Sequence, residues 1–341
     1  MTLKKRVVVG LSGGVDSSAA AALLIEQGYD VHGVYLECYN EPGCRTDQDK
    51  KDALQVAMQL GIRFQTLDFR KEYREKVVEY FYHEFEEGRT PNPDVVCNRE
   101  IKFGIFYDWA IASGYDYVAT GHYARIEGGK LRRAYDESKD QSYFLWQVPR
   151  RHLKHILFPL GGMLKSEVRA KSKELELATA EKPDSMGICF IGEVDVAKLL
   201  KDRLGEKPGE VVRGGEVVGR HNGLWFYTIG QRGGWEMDPK AQKSDTQPLY
   251  VIGKNKVKNQ LIVGTREATM RDRFQILDVR FQGQNDQKLW VRIRNLGELY
   301  EVEEFDGKVI KTRERIFGVA GGQSAVLYDR DGVLVGGGII V

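Results

Sequence analysis

The sequence has no excess of charge of either sign. Its 51 lysine and arginine residues nearly balance 49 aspartate and glutamate residues, so the formal net charge is +2. A chain that binds nucleic acid through its overall charge would be more basic. Any nucleic-acid site must therefore be a local basic patch.

Long apolar runs are also missing from the sequence. No segment approaches the roughly 20 apolar residues that span a membrane, so we predict no membrane association. The N-terminal stretch MTLKKRVVVGLSGG combines basic and apolar residues, but glycines and Asp16 follow at once. We interpret this stretch as an opening strand and not as a signal peptide.

Cysteine is scarce. Cys38, Cys44, Cys97 and Cys189 form no Cys-x-x-Cys pair and no zinc-ribbon spacing, so no metal site is predicted with certainty. Hydrophobic residues make up 42% of the chain, which is enough for a core without a disulfide framework. We therefore expect a reducing, cytoplasmic location.

The first part of the chain alternates short apolar runs with helical patterns. Strands are predicted at KRVVVG, VHGVYLE, FQTLDF and YDYVATGHYA, with helices between them. This alternation is typical of an α/β fold with a parallel sheet and helices on both faces. Further along, SKDQSYFLWQV is predicted to be extended and KSEVRAKSKELEL to be a helix.

The pattern changes after about Asp195, where short β-rich runs broken by glycine replace the helices. GEVVRGGEVVGR is predicted to form a hairpin, and regularly spaced strands from about Thr269 indicate a small antiparallel barrel. We therefore predict three domains: an ATP-binding catalytic domain over residues 1–196, a small β-rich central domain over 197–267, and a C-terminal β-barrel over 268–341.

The most specific motif is SGGVDSS, Ser12 to Ser18, between the first predicted strand and helix. Gly13 and Gly14 let the main chain turn tightly and approach a ligand, and the N-terminus of the following helix favours an anion. Asp16 would hold Mg²⁺ on phosphates or fix the loop. The alternative is a simple N-capped helix after a glycine turn.

This loop lacks the lysine of the GxxxxGK[ST] motif, so it is suited to bind pyrophosphate while an α-phosphate reacts. It resembles the loop of the PP-loop ATP pyrophosphatases. That resemblance implies adenylylation of an oxygen atom with release of pyrophosphate. The loop alone does not indicate which substrate of that class the protein uses.

A cysteine-containing segment, RTPNPDVVCNREIKFG, runs from Arg89 to Gly104. Its prolines predict an extended entry and a helix that begins near Asp94. Asp94 and Cys97 are three residues apart and would share one helical face. A thiol near a helix N-terminus is more readily available as thiolate.

A second segment, EKPDSMGICFIGE, carries Cys189 between Gly187 and Gly192. For either cysteine the simpler interpretation is a small buried apolar residue. Together with GHYAR, KDQSYFL, TIGQR and GQSAV, however, both segments closely resemble the tRNA-specific 2-thiouridylases over nearly the whole chain. The sequence departs from the family pattern at Gly321, where proline is usual, and at Asn295, where an aromatic residue is common.

The resemblance implies conversion of C2=O to C2=S on the wobble uridine of the tRNAs for lysine, glutamate and glutamine. ATP with Mg²⁺ activates the C2 oxygen as an adenylate, and a sulfur-relay protein or cysteine desulfurase supplies a persulfide. The persulfide falls on Cys189, the nucleophile on Cys97 and an acid–base group on Asp94. Cleavage of the persulfide S–S bond requires a second thiol, which agrees with two cysteines.

The resemblance also implies two sets of contacts. The ATP contacts are Gly10, Leu11, Ser12, Gly13, Gly14, Val15, Asp16, Ser17, Leu36 and Gly121. The contacts to tRNA or its target base are Asn92, Pro93, Asp94, His122, Lys139, Asp140, Gln141, Arg294, Asn295 and Gln323.

Three alternatives stay open on the sequence. Cys97, Cys189 and a third ligand such as Asp94 would hold an iron–sulfur cluster that accepts sulfide. Alternatively, the chain would be a PP-loop synthetase acting on a metabolite, which leaves the paired cysteines without a role. The third, a non-catalytic RNA-binding protein, is disfavoured because Ser12, Asp16, Cys97 and Cys189 are intact.

Overall fold

The computed structural model describes residues 4–39, 46–184, 195–239, 247–284 and 287–341. The chain forms two compact units. The first comprises Met1–Val78, Pro93–Glu193 and Asp331–Leu334, and the second comprises Glu79–Asn92, Val194–Arg330 and Val335–Val341. The domain boundaries proposed at residues 196 and 267 stay a prediction.

The first unit is built on a parallel sheet. Its strands are β1 (Arg6–Gly10), β2 (Asp30–Glu37), β3 (Arg63–Asp68), β4 (Tyr117–Ala119), β5 (Arg125–Glu127), β6 (Lys130–Arg132) and β7 (Ile156–Leu157). The sheet order is β3-β2-β1-β4-β7 with every pair parallel, and β5 and β6 form a separate hairpin. The chain therefore reverses its direction of winding between β1 and β4, where α/β sheets open a ligand crevice.

Helices follow the strands. The α-helices are α1 (Val15–Glu26), α2 (Thr46–Gln59), α3 (Arg70–Tyr73), α4 (Glu79–Glu86), α5 (Pro93–Cys97), α6 (Phe106–Ala112), α7 (Lys165–Glu174) and α8 (Val196–Leu204). π-Helical stretches follow α3 at Arg74–Val78 and α5 at Asn98–Ile105, and 3₁₀ turns form at Ser142–Leu145 and Arg150–His155. The prediction that SKDQSYFLWQV is extended is wrong, because the first of these 3₁₀ turns lies within it.

Helix α1 is buried on two sides. Ala21 packs with β1 and β2 in one apolar cluster, whereas Ala19 and Ala20 pack with Leu160 and Val168 in another. Small side chains are needed because α1 lies between the sheet and α7. The alanine run therefore keeps the N-terminus of α1 close to the carboxyl edge of β1.

The second unit contains a small mixed sheet. Its strands are β8 (Gly209–Arg213), β9 (Glu216–His221), β10 (Glu236–Met237), β11 (Tyr250–Asn255) and β12 (Gln260–Gly264), in the order β10-β9-β8-β12-β11. The predicted hairpin is confirmed, since β8 and β9 pair antiparallel. Only β12 and β8 pair parallel among these described strands.

A closed barrel completes the second unit. Its strands are β13 (Met270–Phe281), β14 (Leu289–Arg292), β15 (Tyr300–Phe305), β16 (Val309–Phe317), β17 (Ser324–Asp329) and β18 (Leu334–Ile340). They close in the order β13-β16-β15-β14-β17-β18, and each recorded pair is antiparallel. The predicted fold class, a parallel-sheet domain followed by a β-rich part and an antiparallel barrel, is therefore confirmed. No helix in the described ranges is long and apolar enough to cross a membrane.

A half-buried lysine holds the end of α4 within the second unit. The Lys254 Nζ on β11 donates to the Gly88 carbonyl at 2.9 Å, just beyond the last turn of α4. Burial lowers the pKa of Lys254 from 10.5 to about 8. Because the fold disfavours the charged ammonium, this lysine is more readily deprotonated in the folded protein than in the unfolded chain.

We expect Lys254 to make the protein more stable as pH rises. Between about pH 8 and 10.5 the unfolded chain holds a proton that the folded protein has lost, so folding is favoured by deprotonation there. The melting temperature of the wild type should rise relative to that of Lys254→Met as the pH increases from 8 to 9.5. Lys256→Met, at an exposed lysine two residues away, is the control and should follow the wild type. An unchanged difference across this range would contradict the prediction.

Candidate active site

The loop Ser12–Ser18 lies between β1 and α1, at the point where the sheet changes winding direction. Gly13 has φ +74°, and a Cβ there would lie 2.1 Å from the Asp49 carbonyl oxygen. Gly14 is extended, with φ −99° and ψ 163°, and precedes α1 without a side-chain cap. Gly13 is therefore required by the fold, whereas Gly14 leaves the first turn of α1 open to a ligand.

Serine hydroxyls brace the loop from inside. Ser17 Oγ accepts from the Ser12 main-chain N–H at 3.1 Å and donates to the Gly14 carbonyl at 3.1 Å. Ser18 Oγ donates to the same carbonyl at 2.9 Å. The hydroxyls thus fix the turn, and the α1 N-terminus presents the N–H groups suited to an anion.

Two lysines distant in sequence supply charge to this lysine-free loop. Lys165, at the start of α7, places Nζ 2.6 Å from Asp16 Oδ1 and 2.9 Å from Asp184 Oδ1. Lys182 donates to the Gly13 carbonyl at 2.8 Å and to the Asp49 carboxylate at 2.7 Å. Sequence reasoning missed both, because they lie 149 and 169 residues from their loop partners. The absence of a lysine from the SGGVDSS loop was the signal that other segments of the chain had to supply its positively charged side chains.

The end of β4 packs directly on the loop. A Cβ at Gly121 would lie 2.7 Å from the main-chain carbon of Asp16 and from the nitrogen of Ser17. Two residues later, Tyr123 donates its hydroxyl to Asp16 Oδ1 at 2.8 Å. Burial and the Asp16 carboxylate raise the pKa of Tyr123, so it remains a neutral donor. Leu36 is buried at the carboxyl end of the neighbouring strand β2.

The segment Lys139–Gln141 is tied to the same network. Lys139 Nζ lies 2.9 Å from Asp184, the carboxylate that also binds Lys165. Burial opposes ionisation of Asp184, but hydrogen bonds from Lys139, Lys165 and Arg169 outweigh it and hold its pKa well below the usual range. Gln141 exchanges two hydrogen bonds with the main chain of Tyr123, at 2.8 and 2.9 Å.

Asp140 has a structural position. Its side chain is fully buried, and Oδ1 accepts from the main-chain N–H groups of Ala134 and Ser142, each at 3.1 Å. These bonds turn the chain into the 3₁₀ turn and explain why the segment is not extended. Contacts of Lys139, Asp140 and Gln141 with tRNA stay predictions, and burial favours an indirect role for Asp140.

The predicted helix of the cysteine segment is confirmed. Helix α5 runs from Pro93 to Cys97, so Asp94 and Cys97 lie on one turn. Asp94 is half-buried, and Cys97 is buried with 1% of its surface exposed. The helix continues as the π-helical stretch Asn98–Ile105, a conformation that often occurs at functional sites.

His122 links the end of β4 to this helix. Lys102 Nζ, which can only donate, lies 3.5 Å from Nε2, so Nδ1 carries the proton and donates to Thr120 Oγ1 at 2.7 Å. Burial, together with the Lys102 charge, lowers the pKa of His122 well below its usual value. The imidazole is therefore neutral and only 7% exposed. Its contact with tRNA stays a prediction.

The remaining predicted residues fall outside this first unit or outside the described ranges. Cys189 lies in the undescribed range 185–194, as does Cys44 in 40–45. In the second unit, exposed Arg294 donates to the carbonyls of Phe317 and Gly318, at 2.8 and 3.2 Å. The Asn295 Oδ1 is buried and has no hydrogen-bond partner among the described residues. Gln323 contacts the main chain of Thr90 and Pro91.

The described residues contain no group of three or more histidine, cysteine, aspartate or glutamate side chains that could hold a metal ion. The iron–sulfur alternative needs Cys189, so this geometry does not test it. For Mg²⁺, carboxylate oxygens are the preferred protein ligands, and Asp16 and Asp184 meet at Lys165 beside the loop. These residues fit a cation that accompanies a polyphosphate.

The sheet order, the loop and its surrounding cations define a nucleotide-binding α/β enzyme of the PP-loop class. Three family models match consecutive parts of the chain: a tRNA methyl transferase HUP domain over residues 5–193, a tRNA methyl transferase PRC-barrel domain over 197–265, and an aminomethyltransferase beta-barrel domain over 271–340.

Curated relatives give the particular family. The tRNA-specific 2-thiouridylase MnmA 1 of Geobacillus kaustophilus is 44% identical, over 99% of this chain and 95% of that protein. The tRNA-specific 2-thiouridylase MnmA of Bacillus subtilis is 42% identical, over 98% of this chain and 94% of that protein. This chain belongs to the tRNA-specific 2-thiouridylase family.

A solved structure also resembles part of the chain. The U34-tRNA thiolase NcsA of Methanococcus maripaludis is 21% identical, covers 53% of this chain and 60% of its own, and has a TM-score of 0.37. A likeness of this size supports no inference about the site.

Alanine at Gly13 should lower the stability of the protein, whereas alanine at Gly14 should lower its affinity for ATP. Gly13→Ala forces a left-handed residue against the Asp49 carbonyl, so it should cost at least about 1–3 kcal/mol of stability. Gly14→Ala is the matched control, since its nearest neighbour would be Ser12 Oγ at 3.5 Å. It should melt like the wild type but bind ATP more weakly, because the loop must approach the phosphates. Thermal melting and equilibrium dialysis with ATP measure both effects; equal melting of Gly13→Ala and wild type would contradict the analysis.

Proposed function

We propose that this protein is an ATP-dependent tRNA-uridine 2-sulfurtransferase that thiolates the wobble uridine of the tRNAs for lysine, glutamate and glutamine. Family membership over almost the full chain supports the reaction. The observation that carries the proposal is the pairing, in one compact unit, of a lysine-free phosphate loop with a helical Asp94–Cys97 turn. Mass analysis of nucleosides from tRNA incubated with the protein, ATP, Mg²⁺ and a persulfide donor tests it directly.

The first step activates the base. Uridine C2 is a poor electrophile until its oxygen becomes part of a good leaving group. Attack of that oxygen on the α-phosphorus of ATP forms the adenylate and releases pyrophosphate. The α1 N-terminus and the ammonium groups of Lys165 and Lys182, which contact the loop, would stabilise the polyphosphate. Asp16 and Asp184 would hold Mg²⁺, which would supply positive charge to offset that of the phosphates.

The second step moves sulfur. The terminal sulfur of a Cys189 persulfide attacks C2, and AMP leaves with the former C2 oxygen. The Cys97 thiolate then attacks the Cys189 sulfur, releasing C2=S and forming a Cys97–Cys189 disulfide, which an external thiol reduces. Asp94, one turn before Cys97, is assigned the proton transfers at the base.

Partners and location follow from this chemistry. The persulfide has to come from a sulfur-relay protein or a cysteine desulfurase, and tRNA is the acceptor. A cysteine thiolate that has to attack a persulfide, together with a tRNA substrate, fits a reducing cytoplasm. The comparisons do not favour the metabolite-synthetase or iron–sulfur alternatives, since the curated relatives are tRNA-specific 2-thiouridylases over nearly their whole length.

Asp16→Asn should abolish tRNA-dependent release of AMP and pyrophosphate. The carboxylate binds both Lys165 and Tyr123, so its neutralisation removes the group that fixes the cation beside the loop. Asp30→Asn, at an exposed aspartate paired with Arg63, is the matched control and should retain turnover. Pyrophosphate release at the wild-type rate in Asp16→Asn would refute the assignment of the loop.

The two cysteines should fail at different steps. Cys189→Ser should lose both thiolation and the sulfur that a persulfide donor loads onto the protein. Cys97→Ser should still be loaded and still adenylylate tRNA, yet form no 2-thiouridine, because nothing cleaves the S–S bond. Asp94→Ala should slow thiolation by about 10²–10⁴-fold without preventing loading.

Intact-protein mass spectrometry beside the nucleoside assay distinguishes these outcomes. Cys38→Ala, at a buried cysteine outside the proposed chemistry, is the control and should remain active. Extra sulfur on Cys97, or full activity in either serine variant, would contradict the assignment. A cluster absorbance lost in all three variants would favour the iron–sulfur alternative.

A further inference from the structure

Residues 179–184, which we call the Lys182 segment, carry two charged side chains of the network around the phosphate loop, those of Lys182 and Asp184. The Lys182 main-chain N–H donates to the Thr179 carbonyl at 3.0 Å in a turn, and residues 182–184 have no regular secondary structure. Lys165, in contrast, has its place fixed by α7. Bonds from other elements must therefore set the positions from which the Lys182 and Asp184 side chains extend.

The start of the Lys182 segment is attached to the phosphate loop. Thr179 Oγ1 donates to Ser18 Oγ at 2.9 Å, and both residues are buried. Ser18 Oγ in turn donates to the Gly14 carbonyl at 2.9 Å. A continuous pair of hydrogen bonds therefore joins the first residue of the segment to the glycine turn.

The Lys182 ammonium group is surrounded by acceptors. Its Nζ donates to the Gly13 carbonyl at 2.8 Å and to the carboxylates of Asp49 and Asp52 on α2, at 2.7 and 2.5 Å. An ammonium group has three hydrogens, so these three acceptors use all of them. To bind a phosphate, Lys182 has to give up at least one of these bonds. The place that its ammonium group can then reach depends on where its main chain is held.

Arg169 on α7 holds that main chain. Its Nη1 donates to the carbonyls of Ala180 and Lys182, each at 3.1 Å. Its Nη2 donates to Asp184 Oδ1 at 2.6 Å. One planar guanidinium group therefore binds the main chain of Lys182 itself, the main chain two residues earlier and the carboxylate two residues later. A single ammonium group on a flexible stem does not offer this fixed fork of donors.

Helix α7 places Arg169 beside Lys165. The two residues are four apart and lie on one face of the helix. Lys165 Nζ lies 2.9 Å from Asp184 Oδ1, the same oxygen that Arg169 binds, and 2.6 Å from Asp16 Oδ1. The stretch KSEVRAKSKELEL, which the sequence alone predicts only to be a helix, thus supplies one residue at the loop and one that holds the Lys182 segment.

We propose that Arg169 is a positioning residue for adenylylation, which fixes the Lys182 segment so that the Lys182 ammonium and the Asp184 carboxylate are held beside the phosphate loop. In this role Arg169 acts on the main chain and on Asp184, and it contacts neither ATP nor tRNA. All of these residues belong to the first unit. The inference rests on the proposed function, since it concerns the use of ATP in that reaction.

Arg169→Met tests the proposal, because it keeps an apolar stem and removes every donor. Misplacement of catalytic groups by about 1 Å can cost about 10²-fold, so kcat/KM for ATP in tRNA-dependent pyrophosphate release should fall at least about tenfold. The loss should include a raised KM for ATP, whereas a smaller amount of folded enzyme would lower kcat alone. The dissociation constant for tRNA should be unchanged.

Lys173→Met is the matched control. Lys173 lies on the same helix, and its Nζ pairs with the Glu181 carboxylate at 2.9 Å, so it also joins α7 to the Lys182 segment. That ion pair links two exposed side chains and not the main chain, and exposed ion pairs contribute little. Both KM for ATP and kcat should therefore match those of the wild type.

Arg169→Lys keeps a positive charge beside Asp184 but not the planar fork, so its KM for ATP should lie between those of the wild type and Arg169→Met. This variant carries the test if the methionine variant does not fold. Wild-type kinetics in Arg169→Met, or in Arg169→Lys where that variant carries the test, would overturn the inference. An equal loss in Lys173→Met, or weaker binding of tRNA with an unchanged KM for ATP, would also overturn it. Failure of the proposed function has a different signature, since the wild-type protein itself would then form no 2-thiouridine.

Discussion

The site depends on bringing positive charge to a phosphate loop that carries no lysine. Lys165, at the start of α7, supplies a positive charge beside the loop, and its side chain is only 11% exposed. A buried ammonium group requires counterions, and Asp16 and Asp184 provide them within 2.9 Å. Because Asp184 also binds Lys139 and Arg169, one carboxylate joins three segments of the chain to the loop. This set of ion pairs beside the loop joins α7 and the turn at Lys139–Gln141 to the end of β1.

Close packing makes the arrangement possible. The loop approaches α2 at Gly13 and the end of β4 at Gly121, in both places with no room for a Cβ. Helix α1 carries alanines where larger side chains would separate it from the sheet or from α7. Together these small residues allow the main chain of three elements to meet at the carboxyl edge of β1. The glycines and alanines therefore determine how closely the charged side chains around the loop approach one another.

Local patterns in the sequence were enough to predict the strands, the phosphate loop and the start of α5. Each depends on neighbouring residues: apolar alternation, glycine followed by a helix, or proline at the first turn. Sequence analysis did not predict the site residues Lys165, Lys182 and Asp184, because no local pattern distinguishes them from other charged residues. The segment around Asp140 was wrongly predicted to be extended. The chain turns there because the buried Asp140 carboxylate accepts from the main-chain N–H groups of Ala134 and Ser142, and the sequence alone does not show these contacts. Motif matching gave the positions of His122 and Gln323 but not the directions of their side chains.

Those directions are set by hydrogen-bond partners within the protein. His122 is neutral and accepts from Lys102, which lies on the π-helical stretch that continues α5. Gln323 donates to main-chain carbonyls, and the Gly321 carbonyl accepts from Thr90. A main-chain carbonyl is the same group in every residue, and Gly321 has ordinary space for a Cβ, with its nearest contact at 3.8 Å. The departure from proline at Gly321 therefore leaves its hydrogen bond intact. The Gly321 carbonyl makes this hydrogen bond from the backbone, so the contact does not depend on which side chain position 321 carries.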